Sequence, residues 1–337
     1  QSLRFNDDDS AYLNRTAGTA TSNDIGTFSF WTKRGNLGGG NSFFSNHSDA
    51  NNRTYIGFDA DTITMFGKIS GSANVELLTT PVFRDPGAWY HIVIAVDVTQ
   101  SSASNRVKIY VNGTQITDFG TATYPAQNTD LPLFSKTNHQ VGAFFSSSIG
   151  DYYDGYFAEY YYIDGQQLTP SSFAETNSDT NQWEAIEYDG SYGDNGFYLK
   201  FQDSSALGDD SSGNTNDFTV NNLVATDQVL DSPSNNFCVL NPIDTNTSGT
   251  LSDGNLVTSG NARVTMQPAS GQWYYEKDGS GVSVSGAFNP SLTSGTYNFG
   301  SSGTGGYSDG NGKGNFDNAV PSGYLAVCSD NLSASIA

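Results

Sequence analysis

The chain of 337 residues carries 35 Asp and Glu against 14 Lys and Arg, a formal net charge of -21 at pH 7. So acidic a surface offers no cationic face to displace counterions from phosphate, which argues against nucleic-acid binding and against adsorption to an anionic membrane. Two cysteines and three histidines supply neither a disulfide framework nor the usual structural zinc set, and no apolar run approaches the ~20 residues of a membrane-spanning helix. The acidity itself is read as a device for solubility in a salty medium, where like-charge repulsion is screened. Abundant Gly, Ser, Thr, Asn and Asp, aromatics at 13% and the lack of long Ala/Glu/Lys/Leu runs predict an all-β protein with many turns. The length predicts two domains. No secretory leader is legible, and a start at Gln1 is what a processed chain would show.

In chain order, Leu3 and Phe5 alternate as a first strand, Asp7, Asp8 and Asp9 form a turn, and Tyr12 and Leu13 resume the sheet. Residues 28–33 are a strand, 35–40 a glycine-rich loop, and short strands follow at 43–44, 55–58 and 63–69. Residues 89–96 are apolar on both alternating faces, with Trp89, His91, Val93 and Ala95 on one and Tyr90, Ile92, Ile94 and Val96 on the other. Such a strand is buried on both sides. Residues 97–105 are a polar loop and 107–111 alternate again, ending in Asn112-Gly113. That pair predicts a type I′ hairpin turn, because both central residues need positive φ. After a loop over 121–137, strands resume at 140–144 and across the aromatic stretch 151–163. There, strict alternation sends Tyr156, Ala158, Tyr160 and Tyr162 to one face and Phe157, Tyr161 and Ile163 to the other. Thr169-Pro170 with Glu175 begins a short helix, and 195–201 is a strand that closes a sandwich near residue 205.

Candidate functional residues concentrate in the aromatic stretch. With half its rings facing water, Tyr152, Tyr153, Tyr156, Tyr160 and Tyr162 would present rigid amphipathic faces for a sugar or a protein partner. The competing reading is sandwich core with cross-strand aromatic pairs. The loop 207–218, LGDDSSGNTNDF, places oxygen ligands at alternate positions that would suit Ca²⁺, but it lacks the EF-hand register and terminal Glu. An Asx-rich connecting loop is the plainer expectation there, as a solvated turn is for Asp7, Asp8 and Asp9.

The order of these motifs resembles a known family. Phe28-Ser29-Phe30-Trp31-Thr32-Lys33, the Trp89-Tyr90-His91 strand, Lys108-Ile109-Tyr110-Val111-Asn112-Gly113 and Gly155-Tyr156-Phe157-Ala158-Glu159 resemble the concanavalin A-like sandwich of the laminin G and pentraxin type. The resemblance covers residues 1–205. It implies a β-sandwich of a kind that serves as lectin, adhesion module or hydrolase, and a weak Ca²⁺ site on a loop rim, for which Asp151 and Asp154 are the candidates. Further on, 195–201 with 209–218, then 231–242, then 270–276 (SGQWYYE) and 321–328 (PSGYLAVC) resemble large virion proteins of marine tailed bacteriophages, described as tail-fibre or capsid-associated. The last two motifs look SPRY-like, but the stretch is too short for a full SPRY sandwich. This second resemblance implies a virion-surface protein that contacts other virion proteins and host-surface glycans. It implies homo-oligomers, trimeric as in many fibres, and an incomplete SPRY-like unit over 206–337.

Hydrolases on this fold place paired carboxylates across the scissile bond, commonly as E-x-D-x-E, and no such motif occurs. Glu184 and Glu187 come nearest, at a spacing that suits no strand pair. Walker A and His-Glu-x-x-His are absent from the sequence. His47, His91 and His139 lie far apart in sequence, and His91 reads as a satisfied core residue. The expectation is a non-enzymatic surface protein with no required cofactor. A purely structural decoration protein and a secreted bacterial adhesin are the alternatives.

Overall fold

The computed structural model describes residues 1–258 apart from 136 and 247–249, then 261–266, and beyond these only the backbone of a few short strands. In chain order the strands of the first compact unit are β1 (Ser2–Phe5), β2 (Tyr12–Thr16), β3 (Ile25–Arg34), β4 (Asn41–Asp49), β5 (Asn52–Asp59), β6 (Thr62–Ile69), β7 (Ser72–Val82), β8 (Tyr90–Asp97), β9 (Val107–Val111), β10 (Thr114–Ile116), β11 (Phe119–Thr123), β12 (Asn138–Val141), β13 (Phe144–Phe145), β14 (Ile149–Gly150), β15 (Gly155–Asp164), β16 (Ala174–Thr176), β17 (Trp183–Ala185), β18 (Phe197–Leu199), β19 (Thr219–Asn221) and β20 (Gln228–Val229). They form two antiparallel sheets. One runs β10-β9-β8-β3-β15-β1-β20, with β18 also on β15, and the other runs β11-β7-β6-β5-β4-β12-β2-β19. The core between them includes Phe28, Phe30, Phe43, Phe44, Ile56, Ile92, Ile94, Phe157, Tyr160 and Tyr162, all fully buried. This is the all-β sandwich the sequence predicts.

The Asn112-Gly113 turn joins β9 to β10 with Val111 opposite Thr114 and positive φ at both residues, 48° and 79°. β8 is buried on both faces as its composition requires. Ile92, Ile94 and Val96 enter the main core, while Val93 and Ala95 meet Tyr161, Phe173, Tyr188 and Tyr198 on the far side. The predicted helix at 169–175 is a single 3₁₀ turn, Pro170–Ser172, with Pro at its start and Thr169 before it.

Two expectations are corrected. The sandwich does not close at 205, since the compact unit comprises Gln1–Lys33, Leu37–Arg84 and Trp89–Asn235. β1 and β2 would otherwise leave open backbone edges, and β20 and β19 pair with them. The alternation along β15 also breaks. Glu159 adopts φ 47°, between the stretch paired to β1, at Gly155, Tyr156 and Phe157, and the stretch paired to β18, at Tyr160, Tyr161 and Tyr162. The extra residue acts as a β-bulge that flips every later side chain. Phe157, Tyr160 and Tyr162 therefore point into the main core. Tyr156 and Ala158 pack with Trp31 and Trp89 on the other face, and Tyr161 with Tyr198.

The loop 207–218 is organised by Asp210, which is 8% exposed. Its carboxylate accepts the backbone N–H groups of Tyr198 at 2.8 Å, Ser212 at 2.9 Å and Asn216 at 2.9 Å, and the Ser212 hydroxyl at 2.8 Å. Those donors take the role a cation would have had, which is the Asx-rich reading.

The second compact unit comprises Arg34–Asn36, Asp85–Ala88 and Asn236–Ala337. Its strands are β21 (Leu240–Asn246), β22 (Leu251–Ser252), β23 (Val257–Thr258), β24 (Asn261–Val264), β25 (Trp273–Tyr275), β26 (Val284–Gly286), β27 (Asn298–Phe299), β28 (Gly306–Ser308) and β29 (Ala326–Cys328). β21-β24-β29-β26-β27 form one sheet, and β25 pairs with β28. The WYY and AVC segments are thus strands. Residues 270–272, 276 and 321–325 of the two SPRY-like motifs lie outside the described residues.

Candidate functional site

The aromatic stretch is where the expected site fails to form. Tyr153, Tyr156, Tyr160 and Tyr162 are each at most 1% exposed. Tyr153 stacks on Phe157 at 4.3 Å and donates its hydroxyl to the Lys33 carbonyl at 3.1 Å. Tyr160 stacks on Phe30 at 4.8 Å and donates to the Phe43 carbonyl at 3.1 Å. Tyr162 stacks on Phe28 at 4.5 Å, and Tyr156 packs against Trp89, with their rings 6.3 Å apart. These four rings are core, because the bulge and the β16–β17 hairpin leave neither face of β15 open to water. Tyr152 is half-buried, its ring 6.0 Å from that of Tyr12.

Asp151 is exposed, with φ 45°, and Asp154 is buried. Among the described residues no three His, Cys, Asp or Glu side chains converge to hold a metal ion. Glu184 accepts from Asn177 at 3.0 Å, and Glu187 pairs with Lys200 at 2.8 Å. Each is engaged with its own neighbour.

His91 is a core residue. Trp183 Nε1 donates to its Nδ1 at 3.0 Å, which leaves the ring proton on Nε2 facing Ser29 Oγ at 2.9 Å. Trp31 stacks on the imidazole at 4.9 Å. Burial pushes its pKa down to about 3. His139, fully buried against Phe44 and Tyr162, is pushed down to about 3 by burial and by the nearby Arg15 charge.

The open arrangement of rings lies elsewhere, on the outward face of β4, β5 and β6. Cross-strand register places Ser45 opposite Tyr55 and Tyr55 opposite Phe66 in one row, and His47 opposite Arg53 and Arg53 opposite Lys68 in the next. Tyr55 lies flat on the sheet. Its hydroxyl reaches back to the Phe58 carbonyl at 2.7 Å, over Gly57, where a Cβ would stand 2.5 Å from that oxygen and 2.6 Å from Cζ. Glycine within a strand here permits the close approach of a ring. The short hairpin of β13 and β14 folds over one side of the face. Phe144 packs 4.7 Å from Tyr55, and Phe145 stacks on His47 at 3.7 Å. Under this hairpin Gln140 Oε1 accepts from Ser45 Oγ at 3.1 Å and lies 3.2 Å from His47 Nδ1. Burial lowers the His47 pKa, with Gln140 and Asp49 pulling the other way.

The result is a strip Phe144–Tyr55–Phe66 of half-buried rings. The Arg53 guanidinium sits 5.3 Å from the Phe144 centroid and the Lys68 ammonium 5.7 Å from that of Phe66. Flat rings beside polar groups are what a sugar needs, since its C–H faces stack on aromatics and its hydroxyls find donors at the edge. Sequence reasoning read these strands but not their shared face. The signal was Arg53-x-Tyr55-x-Gly57 beside Phe66-x-Lys68 at period two, on strands joined by the tight turn at Ala60, with φ 52°.

Residues 6–170 match the model of a family described as the concanavalin A-like lectin/glucanases superfamily. No curated protein matches the chain. Among solved structures, a protein of Bacteroides ovatus provisionally described as carbohydrate binding is similar over 65% of this chain and 58% of its own, at 14% identity and a TM-score of 0.40. Tailspike protein 2 of an Escherichia coli O157:H7 bacteriophage is similar over 51% of this chain and 23% of its own, at 16% identity and a TM-score of 0.36. This chain thus spans less than two thirds of either protein, and at these values neither likeness bears on ligand or location. The family match agrees with the sandwich seen here and with a lectin-like fold. No helix among the described residues is long and apolar enough to cross a membrane.

Proposed function

We propose that this protein is a non-catalytic, lectin-like surface protein of a phage particle, in tail fibre or capsid, that holds host-surface saccharide on the open face of β4–β6. The observation that carries the reading is Tyr55, laid flat over Gly57 with Phe66 and Phe144 beside it. Its support in the chain as a whole is the family match over 6–170 and the motif order described above. Stacking on the strip needs no metal, so chelation leaves binding unchanged. Homo-oligomerisation, trimeric in the simplest fibre, would multiply a weak single-site affinity through effective concentration.

The test is a saccharide screen on the full chain followed by titration calorimetry. Tyr55→Ala and Phe66→Ala should each weaken binding roughly tenfold, as removal of a stacking anchor does, while Tyr152→Ala, at the far end of the hairpin, changes it little. Loss in Tyr152→Ala with no loss in the other two would move the site and sink this placement.

A second reading, a decoration protein that only docks on other virion proteins, is favoured by a different observation. Val220 on edge strand β19 and Val224 are exposed, at 36% and 61%. They line a groove of about 340 Å³ with Leu207, Phe218 and Leu223. Particles that lose the protein when Val220 and Val224 become Asp, while isolated protein binds no saccharide, would establish it.

A further inference from the structure

The strip carries a charge pattern that neutral sugars do not explain. Arg53 and Lys68 are direct cross-strand partners on β5 and β6, and like charges placed opposite one another destabilise a sheet. The chain has 14 basic residues among 35 acidic ones, so acidic partners are plentiful. Arg4, Lys33, Arg84 and Lys200 each pair with an Asp or Glu, yet among the described residues neither Arg53 nor Lys68 makes an ion pair. The nearby acids are otherwise placed. Asp49 accepts from the Asn51 and Asn52 backbones and the Asn52 amide, and Glu76 stands opposite Phe66 without pairing to either cation. Arg53 Nη1 donates to the Ser146 carbonyl, while its Nε is buried with no acceptor. Two juxtaposed cations with spare donors, flanked by rings, make a site whose repulsion an anion between them would relieve.

We infer that the ligand of this face is an anionic saccharide, its sugar ring stacked on Tyr55 and Phe66 and its carboxylate or sulfate ester held between Arg53 and Lys68. The inference rests on the reading that this face binds saccharide. Arg53 would meet the anion through the guanidinium edge that Ser146 leaves free, and Lys68 would supply a point charge. The protein's overall negative field opposes approach at long range, so selection for an anion has to come from these two residues at contact distance.

The experiment is calorimetry on the full chain with saccharides paired by charge: oligogalacturonate against its methyl ester, and a sulfated galactan oligosaccharide against its desulfated form. At least one anionic member should bind roughly tenfold or more tighter than its neutral partner, the effect of one charge-assisted hydrogen bond. The advantage should shrink as salt rises from roughly 0.05 to 0.5 M. Which pair shows it separates carboxylate from sulfate. Lys68→Gln, which breaks no hydrogen bond, should remove most of that advantage and leave the neutral affinity in place, and Arg53→Lys should keep part of it. Equal binding within both pairs, or a Lys68→Gln protein as selective as the parent, overturns the anionic ligand and leaves saccharide binding standing. Failure to bind any saccharide removes the reading beneath it.

Discussion

Asp231→Ala should destabilise the first unit by about 3–5 kcal/mol, the cost of stranding one member of a buried ion pair. Lys33 is fully buried, and its ammonium lies 2.8 Å from Asp231 Oδ2, with both side chains at most 5% exposed. Asp231 Oδ1 accepts from Trp89 Nε1 at 2.9 Å, and its backbone carbonyl accepts the Ser2 hydroxyl at 2.5 Å. The ammonium also lies 5.9 Å from the centre of the Tyr156 ring. This explains the Asp231-Ser232-Pro233 motif, which in sequence is only a marker between units. Its aspartate fastens the last segment of the sandwich to β3 and to Trp89, just before β8, and Ser232 and Asn235 close the turn that follows. Chemical denaturation read by tryptophan fluorescence measures the loss. Adding Lys33→Met to Asp231→Ala should recover much of it, because the pair's own net contribution is small while the unpaired charge is what costs. A loss under about 1 kcal/mol for Asp231→Ala alone would contradict the buried pair.

Acid should weaken the same unit well before its carboxylates protonate. His91 and His139 are held neutral, each with its pKa pushed down to about 3, against an ordinary value of ~6.5 when unfolded. The folded pKa is below the unfolded one, so below the unfolded value the unfolded chain binds more protons. Stability is therefore complete above the unfolded pKa and falls with pH from there toward 3. Between pH 7.5 and 5 the loss is about 2 kcal/mol for each histidine, about 4 kcal/mol together. Trp31 and Trp183 both touch His91, so their fluorescence follows the transition. In His139→Phe the pH dependence over that window should fall to about half. A midpoint independent of pH from 7.5 to 5 would show that both imidazoles are hydrated or partnered so as to keep an ordinary pKa in the folded protein.

What could be read from sequence follows the range of the interactions concerned. The Asn112-Gly113 hairpin, the doubly buried strand 89–96 and the Asx-rich loop at Asp210 are local, and composition with period-two patterning is enough to see them. The bulge at Glu159 is not, because nothing in Ala158-Glu159-Tyr160 announces a positive φ. It is imposed where β15 passes from pairing with β1 to pairing with β18. One missed residue exchanged the faces of Tyr160 and Tyr162, and with them the expected site. Closure by β19 and β20 was illegible for a related reason: Asn221 meets Tyr12 and Val229 meets Ser2, pairings more than two hundred residues apart in the chain. The open face of Tyr55, Phe66, Arg53 and Lys68 lies between these cases. Its residues are visible in the sequence, and only the β5–β6 register brings them together.

The pairing of β1 with β20 also has a mechanical meaning. The first strand of the sandwich begins at Ser2 and its last strand ends at Val229, and these two residues are partners in one antiparallel pair. Tension applied across these two ends therefore peels that pair open one hydrogen bond at a time, instead of loading many in parallel as shear would. The Asp231 anchor, two residues beyond β20, sits at the mouth of this zipper with Ser2, Lys33 and Trp89. A buried ion pair that adds little at rest can still act as the catch that sets the force at which the module opens.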